Sequence, residues 1–278
     1  MRDSNQWLES KEKGEVMKVG LVGVGVVGSS MLALFEDVHD VHCYDKYQTP
    51  INTEQHKKQI NTCDIVFVAV STPTSADGFS CDTSAVEASL GWITRPACIR
   101  STVTPGTTAR IMSSYPMLAF CPEHLRETKW DAFKNQFIIV GGQKDTRELV
   151  VRAFQAVLGA GTKYMQTENP TTAELSKYML NNFLSVKVAF CNQYFDIAQN
   201  YGVNYNELRE LWLLDERVGR THTAITEERA FGGKCFPKDI RAMIAAQPDA
   251  TLLKAAYEYN LTLDKEGNDK GTAADHRI

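Results

Sequence analysis

The stretch Met17-Lys-Val-Gly-Leu-Val-Gly-Val-Gly-Val-Val-Gly28 contains a short apolar run that enters a glycine-rich turn. Residues 29–35 continue with apolar side chains at helical spacing, so we predict a strand, a tight turn and a helix. In the pattern Gly23-x-Gly25-x-x-Gly28, the first glycine permits the turn and the second lets the backbone approach a pyrophosphate. The third allows close packing of helix on strand, and the helix N-terminus offers N–H groups to phosphates. This stretch therefore predicts a dinucleotide-binding turn.

An acidic residue supports this interpretation. Asp45 follows the last glycine by seventeen positions, at the end of the next apolar segment, where its carboxylate would accept hydrogen bonds from an adenosine ribose. A carboxylate there repels a 2′-phosphate, which favours NAD over NADP. The alternative is a structural glycine turn without a ligand. We predict an NAD site formed by Gly23, Gly25, Val26, Val27, Gly28 and Asp45.

Continuous apolar runs recur in the first half of the chain. Residues 63–70 do not alternate in polarity, and residues 97–102 and 137–140 are further candidate strands. Unalternating runs are typical of parallel strands that are covered by helices on both faces. With helical stretches between them, they predict an α/β fold with an N-terminal, Rossmann-type, doubly wound parallel sheet over residues 17–165.

The pattern becomes helical near residue 165. Thr171-Thr-Ala-Glu174 has the form of a capping box, and the helix that follows is apolar on more than one face until about Asn200. Such a helix must be buried within its own chain or against a second copy, and we expect a homodimer packed through residues 175–200. Further helices are predicted at 205–214, 237–246 and 251–263.

These helices define an all-α central domain over residues 166–263, which contains the long helix. Residues 1–16 are polar, with no apolar core of a secretion signal, and are treated as an N-terminal extension. Residues 264–278 are rich in polar and small side chains and are expected to form a flexible tail.

The composition excludes several functional classes. The 278 residues carry a net charge of -4, so we expect no nucleic-acid partner. No apolar run approaches the roughly 18 residues of a membrane span, so we expect no membrane partner. The seven cysteines are scattered, odd in number and without a CxxC pair. This pattern predicts reduced thiols, a cytoplasmic location and no metal site.

The segment Ala230-Phe-Gly-Gly-Lys-Cys-Phe-Pro-Lys-Asp239 has the features of a reactive cysteine site. Pro237 suits a first helical turn, which would place Cys235 beside a helix N-terminus and between two lysines, Lys234 and Lys238. These conditions lower a thiol pKa and favour a nucleophilic thiolate. The alternative is a cysteine that acts as a small hydrophobe, and the flanking glycines and charges speak against it. Asp239, four residues on, would face the same way.

Lys177 and Asn181 on the long helix are four residues apart and therefore share a face. Spacing alone is explained most simply by a solvated polar stripe. The alternative is a polar pair placed among apolar neighbours for catalysis.

The chain resembles the UDP-glucose/GDP-mannose dehydrogenase family from residue 19 to about residue 260. The resemblance is highly specific, because many motifs occur in one order. They are the glycine-rich turn, Ser71-Thr-Pro73, Ser101-Thr-Val-Thr-Pro-Gly-Thr107, Cys121-Pro-Glu-His-Leu-Arg-Glu127, Ala173-Glu-Leu-Ser-Lys-Tyr-Met-Leu-Asn181, Arg217-Val-Gly219 and Gly232-Gly-Lys-Cys-Phe-Pro-Lys-Asp239.

The resemblance implies NAD-dependent oxidation of the primary alcohol of a nucleotide sugar to a uronate, of the kind used in polysaccharide biosynthesis. Two hydride transfers would proceed through a thiohemiacetal and a thioester on Cys235. Lys177 and Asn181 would stabilise the oxyanion, and Asp239 would position or activate the hydrolytic water.

The resemblance implies roles for further residues as well. Those at the reaction centre are Thr102 and Glu123. Those at the cofactor are Thr72, Thr102, Glu127 and Lys238. Those that bind substrate are Glu123, Lys177, Asn181, Arg217 and Gly232.

The chain also departs from the family pattern. Relatives continue into a third, nucleotide-binding domain, whereas this sequence ends eighteen residues after Asn260. Residues 225–230 stand where relatives carry a Pro-Gly-rich loop. Two other hypotheses stay open: a β-hydroxyacid-type dehydrogenase with a single hydride transfer, which needs no cysteine, and a non-catalytic NAD-binding remnant.

Overall fold

The computed structural model describes residues 16–123, 137–159, 161–233 and 235–264. The chain divides into two compact units, of which the first takes residues 1–73 and 81–177 and the second takes residues 74–80 and 178–278. The boundary between residues 177 and 178 falls inside the long helix. The domain limits expected from the sequence, 17–165 and 166–263, stay a prediction.

The first unit is built on a seven-stranded sheet with the order β2-β1-β3-β4-β5-β6-β7. Neighbouring strands run parallel except for β5 and β6, which are antiparallel. The strands are β1 (Lys18–Val22), β2 (Asp40–Tyr44), β3 (Ile65–Val68), β4 (Ala97–Ile99), β5 (Leu118–Phe120), β6 (Phe137–Gly142) and β7 (Lys163–Thr167). The predicted α/β class and doubly wound sheet are confirmed, with one antiparallel pair added.

Helices cover this sheet. They are α1 (Val26–Phe35), α2 (Glu54–Ile60), α3 (Ser84–Leu90), α4 (Thr107–Met112), α5 (Lys144–Leu158) and the first turns of α6 (Pro170–Asn200). All four side chains of β3 are completely buried, Ile65 and Phe67 in one apolar cluster and Val66 and Val68 in another. Burial on both faces explains why this strand lacks alternation.

The second unit is helical. Besides the rest of α6 it contains α7 (Tyr205–Trp212), α8 (Phe236–Ala246) and α9 (Thr251–Leu263). Its main apolar cluster joins Val188 of α6, Ile240 of α8 and Ala256 of α9 around Phe231. The predicted all-α character of this region and its long helix are confirmed. No helix among the described residues combines the length and hydropathy that a bilayer crossing requires.

The start of α6 differs from the predicted capping box. Asn169 precedes the helix, and its Oδ1 accepts a hydrogen bond of 3.0 Å from the N–H of Thr171. The Glu174 carboxylate accepts instead from the N–H groups of Gly106 and Thr108, at 2.6 and 2.8 Å. The capping-box interpretation was wrong, because this carboxylate is satisfied by backbone distant in the sequence.

The second-unit part of α6 carries an exposed apolar stripe. Its members recur at helical spacing and are 38–78% exposed: Met179, Phe183, Phe190, Tyr194 and Ile197. The opposite face, which includes Val188, Cys191 and Ala198, is buried within the unit. Among the described residues, this part of the helix is therefore covered on one side only.

Candidate active site

The turn after β1 has the geometry that its glycines predict. Gly23 has φ +88°, and a Cβ added there would lie 2.7 Å from the carbonyl oxygen of Ala69. A Cβ added to Gly28 would lie 1.9 Å from the carbonyl oxygen of Gly23, so only glycine allows α1 to approach β1 this closely. A Cβ on Gly25 would meet no atom within 4 Å. The backbone at Gly25 therefore faces open space that a phosphate group fits.

The first turn of α1 also fits an anionic ligand. Gly25 precedes the helix and has no side chain with which to cap the N–H groups of the first turn. These groups can therefore bind phosphate oxygens, with the helix dipole adding a favourable partial charge. Val26 is 73% exposed at this end, whereas Val27 packs against the core of the sheet.

Asp45 joins the end of β2 to the glycine turn. Its Oδ2 accepts from the N–H of Val24 at 2.8 Å, and its Oδ1 accepts from the N–H of Tyr47 at 2.9 Å. Gln48 donates to the carbonyl oxygen of Val24 at 3.0 Å and closes the same loop. Each carboxylate oxygen has a second lone pair, so Asp45 can still accept from ribose hydroxyls. The N–H groups at the start of α1 and the carboxylate of Asp45 therefore fit the phosphates and the ribose of NAD.

Two predicted residues meet at the carboxyl ends of β3 and β4. Thr72 Oγ1 donates to the carbonyl oxygen of Thr102 at 2.7 Å, and Cys81 Sγ lies 3.3 Å from the same oxygen. Ligands of open α/β sheets bind at this edge. Thr72 therefore fixes the backbone of Thr102, and Cys81 adds a contact that the sequence did not indicate.

A buried network around Arg100 holds Glu123. Arg100 Nη1 donates to the carbonyl oxygens of Cys121 and Pro122, at 3.0 and 2.9 Å, and Nη2 lies 2.5 Å from Glu123 Oε2. Burial is the largest single effect and opposes the charge of Arg100, but Glu123 together with Cys121 and Cys98 outweighs it and raises the arginine pKa above its usual value. The sequence interpretation gave Arg100 no role, although a charged residue within the apolar run 97–102 was a signal of a buried polar contact.

Lys177 is attached to the same loop. Its Nζ donates to the main-chain carbonyl oxygen of Glu123. The side chain of Lys177 is 8% exposed and that of Asn181, one turn later on α6, is 7% exposed. The solvated-stripe explanation of this pair is therefore wrong, since both polar groups are buried.

In the second unit, Asn181 binds Asp239. Asn181 Nδ2 donates to Asp239 Oδ2 at 2.6 Å, and Lys238 Nζ lies 2.9 Å from Asp239 Oδ1. Asp239 is 1% exposed. Its N–H donates to the carbonyl oxygen of Cys235 at 2.9 Å and closes the first turn of α8, which contains Pro237 as predicted.

Cys235 is exposed and directly precedes α8, while the other six cysteines are buried or half-buried. All seven lie among the described residues and none forms a disulfide. Asp239 and Cys235 thus share one helical turn but differ in environment, because the carboxylate is buried and the thiol faces outward. The buried-hydrophobe alternative for Cys235 is wrong. Lys234 lies outside the described residues.

The other predicted residues lie elsewhere in the second unit or outside the described residues. Arg217 is an exposed side chain whose guanidinium grips Asp215, with Nε 2.9 Å from Oδ1. Lys187 donates to the carbonyl oxygens of Val218 and Gly219, at 3.0 and 2.7 Å, and shapes the turn after Arg217. Gly232 is half-buried. Glu127 lies outside the described residues.

No metal-binding cluster of three or more histidine, cysteine or carboxylate side chains occurs in the part of the chain that the structure describes.

Sequence comparison places both halves of the chain in one family. The signature of the UDP-glucose/GDP-mannose dehydrogenase family, NAD binding domain, matches residues 50–157. That of the same family's central domain matches residues 171–262. The glycine turn lies before the first segment, so its assignment depends on the geometry described above.

Individual relatives agree. The chain is 31% identical over 206 residues to a UDP-glucose 6-dehydrogenase of Rickettsia prowazekii (strain Madrid E), across 69% of this chain and 46% of that protein. It therefore spans about half the length of this relative. A UDP-glucose dehydrogenase from the hyperthermophilic archaeon Pyrobaculum islandicum matches with TM-score 0.73 and 26% identity, over 91% of this chain and 68% of that one.

A third similarity concerns the fold alone. The 3-hydroxyisobutyrate dehydrogenase of Mycobacterium tuberculosis matches with TM-score 0.68 at 16% identity, over 92% of this chain and 96% of that one. Two consecutive signatures of one family, which together cover most of the sequence, show that this chain belongs to the UDP-glucose/GDP-mannose dehydrogenase family.

Proposed function

We propose that the chain oxidises the primary alcohol of a UDP-glucose-like nucleotide sugar to the uronate, with NAD as oxidant and Cys235 as nucleophile. The observation that carries the proposal is the first turn of α8. There an exposed thiol immediately precedes a helix whose buried Asp239 is held by Asn181. Membership of the family and the names of its relatives support the same reaction.

The reaction has two oxidations and one hydrolysis. NAD, when bound, accepts a hydride in each oxidation. After the first, the Cys235 thiolate attacks the aldehyde carbon, a C–S bond forms, and the carbonyl electron pair moves to oxygen, which takes a proton. Loss of the hydroxyl proton and of the second hydride from this thiohemiacetal leaves a thioester. Water then adds, the C–S bond breaks, the thiolate is released, and the carboxylic acid loses its proton. The covalent adduct retains the aldehyde between the two oxidations.

Two donors on α6 are proposed to stabilise the oxyanion. Lys177 uses one Nζ hydrogen on the Glu123 carbonyl, and Asn181 uses one amide hydrogen on Asp239. An ammonium has three hydrogens and an amide nitrogen has two, so both groups can donate again. In a dry site, one such donor contributes about 3–4 kcal/mol to transition-state stabilisation.

The remaining predicted residues keep proposed roles. Asp239 is proposed to position the hydrolytic water, Thr102 and Glu123 to line the reaction centre, and Glu127 to contact the nicotinamide. The other cofactor contacts are Thr72 and Lys238, in addition to the glycine turn and Asp45. The other substrate contacts are Arg217 and Gly232.

The test is a count of NADH per molecule of substrate, with a panel of UDP- and GDP-sugars. We expect two NADH per sugar for the wild-type chain, and loss of the second oxidation in Cys235→Ser. Cys43→Ser, a half-buried cysteine on β2, is the matched control and should keep both. Mass spectrometry of the trapped Cys235 adduct identifies the covalent step.

A second candidate is a β-hydroxyacid-type dehydrogenase, favoured by the buried Lys177 and Asn181 at four-residue spacing. It predicts one NADH per substrate and full activity of Cys235→Ser. Tight NAD binding without turnover of any sugar nucleotide or hydroxyacid would instead indicate a non-catalytic protein.

We also propose a homodimer that packs through the exposed stripe of α6. The rings of Phe190 and Tyr194 are tilted against each other with centroids 4.7 Å apart, and the Phe190 ring lies 5.7 Å from that of Trp212. A second copy presents the same stripe, so a two-fold axis can bury both at once. Light scattering at micromolar concentration tests this, and a monomer would contradict it.

A further inference from the structure

The segment that leads to Cys235 is tied to α6 by one arginine. Arg229 Nη2 donates to Asp196 Oδ1 at 2.6 Å and to the carbonyl oxygen of Asn192 at 3.1 Å, and its Nε donates to Asn192 Oδ1 at 3.1 Å. The guanidinium also lies 4.8 Å from the centroid of the Phe195 ring. Arg229 is therefore held by hydrogen bonds, an ion pair and a ring contact.

The backbone of Arg229 is held as well. Its φ is +60°, a left-handed conformation that non-glycine residues adopt only when their surroundings impose it. Its carbonyl oxygen accepts from Asn192 Nδ2 at 2.7 Å, and Asn192 is completely buried. One asparagine thus binds both the side chain and the main chain of Arg229.

A second asparagine fixes the residue two positions on. Asn260 of α9 accepts from the N–H of Phe231 at 2.7 Å and donates to its carbonyl oxygen at 3.1 Å, with both residues almost completely buried. Tyr259, its neighbour, donates to Asp196 Oδ2 at 2.8 Å. Asp196 therefore links the α9 contact to the Arg229 contact.

The geometry points to Arg229 and Asn260 as positioning residues for Cys235. Three residues separate Phe231 from Cys235. Gly232 and Gly233 have no side chains to fix their path, and Gly233 has φ +77°; Lys234 lies outside the described residues. On the other side, the first turn of α8 fixes the carbonyl of Cys235. The two contacts at residues 229–231 thus provide the upstream anchor of the nucleophile. This inference rests on the proposed function.

The first experiment needs no substrate. We expect Arg229→Gln to lower the rate of Cys235 alkylation by iodoacetamide at pH 7 about threefold or more, because a thiolate that leaves the helix start loses its stabilisation. Peptide mass spectrometry assigns the site. Arg229→Lys keeps the charge but not the planar fork and should fall between. Arg220→Gln is the matched control, since it breaks a two-contact ion pair with Glu210 in the same unit.

The second experiment measures turnover. Arg229→Gln should lower kcat with little change in the KM for the sugar nucleotide, and NADH per sugar should fall from two towards one as aldehyde escapes. Asn260→Ser should change kcat in the same direction. If this variant does not fold, Arg229→Gln and Arg229→Lys still test the inference. Thermal unfolding is recorded for each variant.

A lower melting temperature of Arg229→Gln with unchanged alkylation of Cys235 would overturn the inference and leave a structural role. Failure of the wild-type chain to oxidise any sugar nucleotide would refute the proposed function alone, because the alkylation comparison does not require turnover. An equal change in Arg220→Gln would also overturn the inference.

Discussion

Removal of the Arg100 guanidinium should destabilise the first unit and displace Glu123. In Arg100→Met, the carbonyls of Cys121 and Pro122 lose their donor, and the Glu123 carboxylate, 9% exposed, loses its ion-pair partner. Breaking a buried ion pair by removing one partner costs about 3–5 kcal/mol. We expect the free energy of unfolding to fall by about this amount.

The assay is a double-mutant cycle in urea. Arg100→Met, Glu123→Gln and the double variant are compared with the wild type, each checked for a single cooperative transition. The double variant buries no unpaired charge, so its loss should be smaller than the sum of the single losses, with a coupling of about 2 kcal/mol or more. The control cycle is Arg220→Gln with Glu210→Gln, an exposed pair expected to couple by less than about 1 kcal/mol.

Additive losses in the Arg100 cycle would refute the reasoning, because the charges would then be independently satisfied. The same variants also connect the network to the proposed chemistry. Lys177 donates to the main-chain oxygen of Glu123, so a displaced loop should lower kcat in Arg100→Met even at saturating substrate. Unchanged kcat would contradict that connection.

Three further predictions follow from single residues. Gly28→Ala should abolish NAD binding, measured by titration calorimetry, because its Cβ would overlap the Gly23 carbonyl, whereas Gly25→Ala should keep the fold and weaken NAD binding. Burial raises the pKa of Glu174 above its ordinary 4.5, so the folded state binds a proton more tightly than the unfolded state. Stability should therefore fall as pH rises from about 4.5 through the raised pKa, a slope that urea unfolding should not show in Glu174→Gln. Phe183→Lys should convert the proposed dimer to a monomer in light scattering, while the helical circular-dichroism signal at room temperature stays unchanged.

The sequence predicted those parts of the fold whose signals are local. The glycine turn, the apolar run of β3 and helices α8 and α9 were all indicated, because each signal lies in residues that are neighbours along the chain. The polar edge strand β7 was not indicated, since its exposed side chains give no apolar run.

Sequence patterns did not predict the interactions between residues that are distant along the chain. The carboxylate of Glu174 was interpreted as a local cap, but it binds backbone 66 and 68 residues away. Arg100 was not assigned a role, because its partners lie 21–23 residues away on another strand end. Spacing drew attention to Asn181 and Asp239 separately, and the resemblance gave them roles, but their contact depends on the packing of α6 against α8.

The distribution of thiols in the molecule leaves one of the seven cysteines open to peroxide. Six thiols are shielded to some degree by the fold, so oxidation of cysteine to a sulfenic acid should begin at Cys235, the seventh and exposed one. Because that sulfur is also the proposed nucleophile, its oxidation would inactivate the protein without unfolding it. Thiol reductants should restore it until the sulfinic stage is reached.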